Sequence, residues 1–327
     1  MVTPTATEET PELIDVVVDE VDDIAEGVLS LVLRRRDGQE FPHWTPGSHI
    51  DLHLGNGLIR QYSLWSPMDD LTQLRVGVLR TLDSRGGSEW IHDNLRAGER
   101  LSISAPRNNF PLVDSRKYMF VAGGIGITPL VSMIQQVEEQ GREWQLYYGG
   151  RSRASMALVE QLEEQYGTEK VHIFDEDGRG RLDLESILAL PRAHMLIYAC
   201  GPGGMLEAIE DFCMGWPPGS LHTERFVAGT LGAAGNQDPF SVELARSGKE
   251  FTVPPEKSIL EVMEENGTRV LSSCRAGLCG TCETRIISGE VEHRDAALTQ
   301  EDKDAGDVMM VCVSRAAAGC NRLVLDL

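Results

Sequence analysis

The sequence predicts a multidomain chain of three units in series: an antiparallel β-barrel, a parallel α/β unit and a smaller C-terminal α+β domain. Three observations predict it. Short strand-like runs separated by turn dipeptides fill the N-terminal third. Two glycine-rich strand ends, each opening a helix, punctuate the middle third. A C-x₄-C-x₂-C run with a distant fourth cysteine dominates the last third. At 327 residues the chain has length for about two or three domains, each able to bury a core.

Composition narrows the class. Hydrophobic residues make up 41% and charged residues 25%, the balance of an ordinary globular protein. The formal net charge of −21 argues against nucleic acid and anionic lipid as partners, since both are met by basic patches. It suits a partner with a basic surface, and equally a protein that acidity simply keeps in solution. No apolar run approaches the ~20 residues that span a bilayer, and no basic stretch followed by an apolar one begins the chain. Seven cysteines are an odd number with four in one pattern, so a reducing cytoplasm is expected rather than a disulfide-forming compartment. Residues 1–26 hold several acids and no Lys or Arg, and the first ten read as a disordered lead-in.

In the N-terminal third, Leu13–Val18, Val28–Leu33, His49–Leu54, Ile59–Leu64 and Leu74–Leu79 read as strands, with Asp-Gly, Pro-Gly and Asn-Gly turn signals in the gaps. Such strands with hairpin turns predict a closed antiparallel barrel. Within the fourth run, Arg60-Gln61-Tyr62-Ser63-Leu64 offers a cation, a flat aromatic and a hydroxyl to a ligand with a phosphate and a planar ring. Read alone, the same residues fit a barrel's surface and rim. Ser84-Arg85-Gly86-Gly87-Ser88 then precedes a short helix over Glu89–Leu95. Ser88 is the expected N-cap, and the glycines let a phosphate approach the free N–H groups of the helix start. An ordinary glycine-rich hairpin loop would look the same.

At Ser115 the pattern changes. Lys117–Ala122 is a buried-strand run that leads into Gly123-Gly124-Ile125-Gly126-Ile127-Thr128-Pro129 and a helix over Leu130–Glu139. The turn would bring a pyrophosphate against the helix N-terminus, with Pro129 at a first helical position in place of the last glycine of G-x-G-x-x-G. Further strands are expected at Trp144–Tyr148, Val171–Phe174 and Met195–Ala199, with helices near Met156–Gln165 and Leu184–Ala189. This alternation predicts a parallel sheet. Its last strand ends in Cys200-Gly201-Pro202-Gly203-Gly204-Met205 and opens a helix over Leu206–Phe212. Two such strand ends in one sheet imply a ligand crevice at its carboxyl edge.

Thr230–Gln237 is small and polar enough for a linker. Beyond it, Phe240–Ala245 and Glu250–Val253 suggest a hairpin around Ser247-Gly248, and Ile259–Glu265 a helix. Cys274, Cys279 and Cys282 follow in the plant-type spacing for a [2Fe–2S] cluster, with Cys312 as fourth ligand in the strand-like run Met310–Val313. Ala276, Gly277, Gly280 and Thr281 are small enough to let backbone N–H groups approach the sulfurs. A zinc site would pair two C-x₂₋₄-C knuckles, whereas Cys312 stands alone.

With these blocks in this order, the chain resembles the phthalate dioxygenase reductase and vanillate demethylase reductase family over about Glu12–Leu327. The motifs that carry the likeness are Arg60–Ser63, Gly123–Pro129, Cys200–Gly203 and the four cysteines. The resemblance implies an FMN-binding barrel over 1–112, an NAD(P)H-binding α/β domain over 113–228, a linker at 229–237 and a β-grasp ferredoxin domain over 238–327. It implies that Arg60 contacts the flavin phosphate, with Gln61 beside it and Gly86-Gly87-Ser88 completing that site. Tyr62 would pack on the isoalloxazine, and Ser63 and Thr128 would lie near its reactive edge. Gly123, Gly124, Gly126 and Pro129 would hold the nucleotide with Gly201 and Pro202, and Cys200 would meet the nicotinamide. Phe226, in Glu224-Arg225-Phe226, would cover the flavin. No acid ends the second strand of the α/β unit to hold a ribose hydroxyl, and Arg151 and Arg153 there are candidates for a 2′-phosphate or for solvated loop positions. The family's habit favours NADH over NADPH and FMN over FAD.

The implied activity is that of an NAD(P)H-dependent oxidoreductase, the reductase component of an oxygenase system. A two-electron hydride donor, a flavin able to hold one electron and a one-electron cluster form the chain of carriers. The implied partner is a terminal oxygenase of the Rieske type, or else a cytochrome P450, met at a cluster rim that includes Arg275 and Leu278 by a monomeric reductase. No general acid or base is required, so His43, His49, His53 and His92 are expected to be structural or surface residues, and Cys213 and Cys320 packing residues. A redox-sensing iron–sulfur module without turnover is the contrasting expectation.

Overall fold

Seven N-terminal strands run as β1 (Ile14–Ala25), β2 (Val28–Arg35), β3 (Ser48–His53), β4 (Ile59–Ser63), β5 (Leu74–Leu79), β6 (Arg100–Ile103) and β7 (Arg107–Asn108). They form one antiparallel sheet in the order β4-β3-β6-β1-β2-β5, with β7 on β3. A bridge between Leu64 and Val76 and the 3.1 Å bond from Trp65 N–H to Arg75 O join its two ends, closing the expected barrel. Val16, Val18, Leu31, Leu33, Ile50, Leu52, Val76 and Val78 fill the interior. The computed structural model describes residues 13–81, 86–226 and 237–327, so the lead-in, Ser84, Arg85 and linker positions 229–236 lie outside the described residues.

One helix, α1 (Gly87–Asn94), follows β5. Its N-cap is Gly86, in the left-handed region at φ 79°, and not Ser88. Ser88 sits one position into the helix, where its hydroxyl accepts from Thr81 N–H at 3.2 Å. A left-handed cap is open to glycine without a steric penalty, so the chain turns into the helix two residues early.

The middle unit is a five-stranded parallel sheet of β8 (Lys117–Gly123), β9 (Glu143–Gly150), β10 (Val171–Asp175), β11 (Met195–Cys200) and β12 (Leu221–Glu224), in the order β10-β9-β8-β11-β12. The connections carry α2 (Ile127–Glu139), α3 (Val159–Tyr166), α4 (Leu184–Leu188) and α5 (Gly203–Cys213). The chain winds outward from β8 to β10, then crosses to β11. The crevice between the carboxyl ends of β8 and β11 is therefore the topological switch point. Pro129 is the third residue of α2, not its first. It remains inside the first turn, where a missing N–H breaks no helical bond.

The C-terminal domain has β13 (Phe240–Leu244), β14 (Lys249–Val253), α6 (Ile259–Glu265), β15 (Glu283–Ser288), β16 (Val291–Glu292), α7 (Gln300–Ala305), β17 (Val308–Met310), β18 (Arg315–Ala316) and β19 (Arg322–Leu325). Its main sheet runs β14-β13-β19-β15-β17, with β13 and β19 parallel and the other pairs antiparallel. Helix α6 starts at a reciprocal cap: Ser258 N–H donates to the Glu261 carboxylate at 2.8 Å, and Glu261 N–H donates to Ser258 Oγ at 3.2 Å. The run Met310–Val313 is not a strand throughout. β17 stops at Met310, and the N–H groups of Val313 and Ser314 turn back onto Met310 O, which puts Cys312 in a tight turn.

The three units are joined in different ways. One apolar core holds Val28, Trp65 and Phe110 of the barrel together with Phe120, Ile127, Leu130 and Tyr198 of the α/β unit. The C-terminal core, from Phe240 to Leu325, draws only on its own domain. Among the described residues no helix is long and apolar enough to cross a membrane.

Candidate redox site

The cysteine loop is the first element of the site. Cys279, Cys282 and Cys312 are buried and Cys274 is half-buried. The thiols lie as two pairs, Cys274 against Cys279 and Cys282 against Cys312. The contact with Cys274 lowers the Cys279 thiol, and the same contact raises Cys274. Ala276 and Leu278 N–H donate to Cys274 Sγ at 3.4 Å each, and Thr281 N–H donates to Cys279 Sγ at 3.5 Å. A Cβ on Gly277, whose φ is 69°, would fall 2.6 Å from Val313 Cγ2 and 2.9 Å from Asp295 Cα, so the loop folds this tightly only with glycine there. Two pairs of thiols with N–H groups aimed at sulfur fit a two-iron cluster, in which each iron takes two thiolates, better than a mononuclear zinc site.

The barrel supplies a second edge. Arg60, Gln61, Tyr62 and Ser63 lie on β4, and Arg60 runs across the start of α1, so that a Cβ on Gly87 would meet Arg60 Nε at 2.3 Å. A guanidinium beside the free N–H groups of a helix start is a cradle for an anionic group. Burial raises the Tyr62 hydroxyl well above its ordinary value, leaving it neutral, and Ser63 is buried behind it. Thr128, at the start of α2, is also buried. Its hydroxyl donates to Ile125 O at 3.0 Å, and its methyl would lie 2.9 Å from a Cβ on Gly77 of β5. The glycine-rich turn of the α/β unit is thereby pressed on the barrel wall.

The third edge is the switch point. A Cβ on Gly126 would fall 2.2 Å from Cys200 O, and one on Gly123 would fall 2.6 Å from Pro202 Cδ. The turns at 123–126 and 200–202 therefore touch backbone to backbone, with Gly201 in the contact. Cys200 is fully buried, its thiol held up by burial and by Glu224. Glu224, on β12, is its Cα partner across the sheet, and burial pushes the Glu224 carboxyl up to about 8. Phe226 lies two residues past β12, 36% exposed. Arg151 is exposed, and Arg153 is drawn away onto Glu160 and Glu163 of α3.

Two residues of the site were not singled out by the sequence. Glu224 was legible only as part of Glu224-Arg225-Phe226, and its partner Cys200 lies on a strand that only the fold makes adjacent. Asp51, buried in β3, accepts hydrogen bonds from Gln61, Arg107 and Ser273. Among the histidines, His49 is buried and held neutral, its ring lowered to about 4 by burial and by Arg107, while His92 bonds Val78 O at 3.0 Å. Cys213 is buried in the core behind α5, and Cys320 is half-buried.

Two family models match the chain. Residues 242–317 match the model of the 2Fe-2S iron-sulfur cluster binding domain, and residues 120–211 match that of the oxidoreductase NAD-binding domain. A vanillate O-demethylase oxidoreductase of Pseudomonas sp. (strain HR199 / DSM 7063) is 37% identical over 320 residues, covering 96% of this chain and 100% of the relative. The solved phthalate dioxygenase reductase superposes with a TM-score of 0.72 at 35% identity, over 96% of this chain and 98% of its own. An intact type IV self-sufficient cytochrome P450 monooxygenase superposes at 0.87 with 38% identity, over 96% of this chain but 41% of its own. Motif order, fold and full-length likeness agree, and the chain belongs to the phthalate dioxygenase reductase and vanillate demethylase reductase family of oxidoreductases.

Proposed function

We propose that the protein is the NADH-dependent reductase component of an oxygenase system, with FMN in the barrel, a [2Fe–2S] cluster in the C-terminal loop and a terminal oxygenase as acceptor. The observation that carries this reading is the meeting of three ligand-holding edges: Thr128 packs on β5 beside the Arg60–Ser63 strand, and the cysteine loop bonds to β3 through Ser273. When bound, a flavin held by these residues would supply the exchange between a two-electron hydride donor and a one-electron acceptor.

The chain's own residues would do the following. Arg60 and the α1 start, with Gly86 and Gly87, hold the flavin phosphate, and Ser88 fixes that turn through Thr81. Tyr62 gives the ring a neutral flat face, flanked by Gln61, and Ser63 and Thr128 present hydroxyls to its edge. The turn of Gly123, Gly124, Gly126 and Pro129 receives the pyrophosphate at the α2 N-terminus. Gly201 and Pro202, with the buried Cys200 directly behind them, leave a small surface against which a nicotinamide can lie flat. Phe226 shields the flavin until the nicotinamide arrives. Glu224 holds a proton at its buried carboxyl.

The acceptor is read first as a Rieske-type oxygenase, met by an acidic, monomeric, cytoplasmic reductase at the rim around Arg275 and Leu278. A cytochrome P450 is the second reading, supported by the likeness to the self-sufficient P450. The test is turnover with artificial acceptors: NADH should drive reduction of ferricyanide and of cytochrome c. A protein holding both cofactors that reduces neither is a redox module and not a reductase.

A further inference from the structure

We propose that Asp51 is the positioning residue that seats the cluster loop on the flavin barrel, acting through Ser273, and that electron transfer from flavin to cluster depends on that seat. The inference rests on the cofactor assignment above. Asp51 lies on β3 between the interior residues Ile50 and Leu52, with its side chain 4% exposed. One carboxylate oxygen accepts from Gln61 Nε2 at 2.9 Å, on the strand between Arg60 and Tyr62. The other accepts from Arg107 Nη2 at 2.7 Å and from Ser273 Oγ at 2.7 Å, the residue before Cys274. One buried carboxylate thus ties the strand that faces the flavin to the loop that holds the cluster.

The backbone of Asp51 is fixed as well. Its N–H donates to Ser104 Oγ at 3.0 Å, and Ser104 N–H donates to Asp51 O at 3.1 Å. Burial works to raise this carboxyl, but the Arg107 charge and the donors on Ser273, Gln61 and Arg107 outweigh it, so Asp51 stays ionised with a lowered pKa. Bonds to an ionised acceptor out of water are the stronger kind. A second tie lies alongside: Asn109 Nδ2 donates to Cys279 O at 2.8 Å, where Gly280 leaves no side chain in the way.

These ties matter because of how the cores divide. Barrel and α/β unit share an apolar core, whereas the ferredoxin domain has a core of its own. Hydrogen bonds from Ser273 and Asn109 therefore carry the placement of the cluster loop, and loosening them leaves both cores intact. In the step concerned one electron leaves the reduced flavin and enters the oxidised cluster, with NADH as the source.

The test uses the full-length holoprotein with Ser273→Ala, Asn109→Ala and the pair combined. After anaerobic mixing with NADH, the flavin should bleach within twofold of the wild-type rate in every variant. Cluster reduction should slow about threefold in Asn109→Ala, whose bond is to a neutral carbonyl, about tenfold in Ser273→Ala, and more than tenfold in the double. Loss of a hydrogen bond to a charged group costs roughly a factor of 10 or more in the seated population. Hydrogen exchange should quicken at the amides of 272–281 and stay unchanged in β15 and β19, and the cluster midpoint potential should not move. Asp51→Asn should reproduce the slowed cluster phase. Wild-type cluster reduction or unchanged loop exchange in the double variant would overturn the proposal, as would a slowed phase with a shifted potential, which would mean that Ser273 tunes the cluster. A wild-type flavin that NADH does not bleach would instead overturn the cofactor assignment, while loop exchange still reports whether the seat exists.

Discussion

Glu224 and Cys200 are Cα partners at the carboxyl ends of neighbouring parallel strands, and Glu224 Oε2 is buried there without a hydrogen-bond partner. A carboxyl raised from 4.5 to about 8 by burial binds a proton in the folded state that the unfolded chain has already released. The folded state therefore holds the extra proton between those values, and stability falls as pH rises through that window and levels off above it. Glu224→Gln should flatten this slope in denaturant titrations at a series of pH values. The rate of flavin reduction by NADH should also lose an ionisation near 8 in the variant. A wild-type slope that survives the substitution would rule Glu224 out as its source.

Two glycines give opposite expectations. A Cβ on Gly126 would meet backbone, Cys200 O at 2.2 Å, whereas one on Gly87 would meet the movable side chain of Arg60. Gly126→Ala should destabilise the protein by about 1–3 kcal/mol and raise the KM for NADH, because the two turns must part. Gly87→Ala should leave the melting temperature near wild type and weaken FMN retention about tenfold, by displacing Arg60 from the helix start. Thermal melts and flavin released on dialysis separate the two.

Cys312→Ser removes one thiolate from the Cys282 pair. Iron content should fall from about two per chain to near none. Ferricyanide reduction, which needs only the flavin, should persist, while reduction of cytochrome c should drop at least tenfold. Cytochrome c reduction that persists alongside ferricyanide reduction in the iron-free variant would place the acceptor site at the flavin.

Coenzyme choice is checked at the end of β9. Arg153 is committed to Glu160 and Glu163 at the surface, so Arg153→Ala should change the NADH-to-NADPH ratio of kcat/KM less than threefold and stability by about 0–1 kcal/mol. Arg151→Ala should lower NADPH use more than NADH use. Assays with both coenzymes on each variant decide this.

Much of the fold was legible because local signals agreed with tertiary ones. Helix α6 falls on the expected Ile259–Glu265, residue for residue, since Ser258 and Glu261 cap it and Ile259, Leu260, Val262 and Met263 repeat along one face. Strands β6 and β7 were missed, being four and two residues long and rich in polar side chains. Ser88 misled as a cap because the sequence does not announce which glycine turns left-handed. Asp51 carried no local signal. Strand alternation would send it to solvent with His49 and His53, and what covers it is Ser273, 222 residues away. The cysteine spacing was legible because a cluster fixes its ligands' separation in the chain as well as in space.

The central claim is a continuous electron path from NADH through the barrel to the cysteine loop. Its most direct test is the visible absorption spectrum of the purified holoprotein before and after anaerobic addition of NADH. Overlapping flavin and iron–sulfur bands are expected, with the flavin bands bleaching first and the cluster bands following. A colourless, zinc-loaded protein, or bands that NADH and NADPH both leave unchanged, would contradict it.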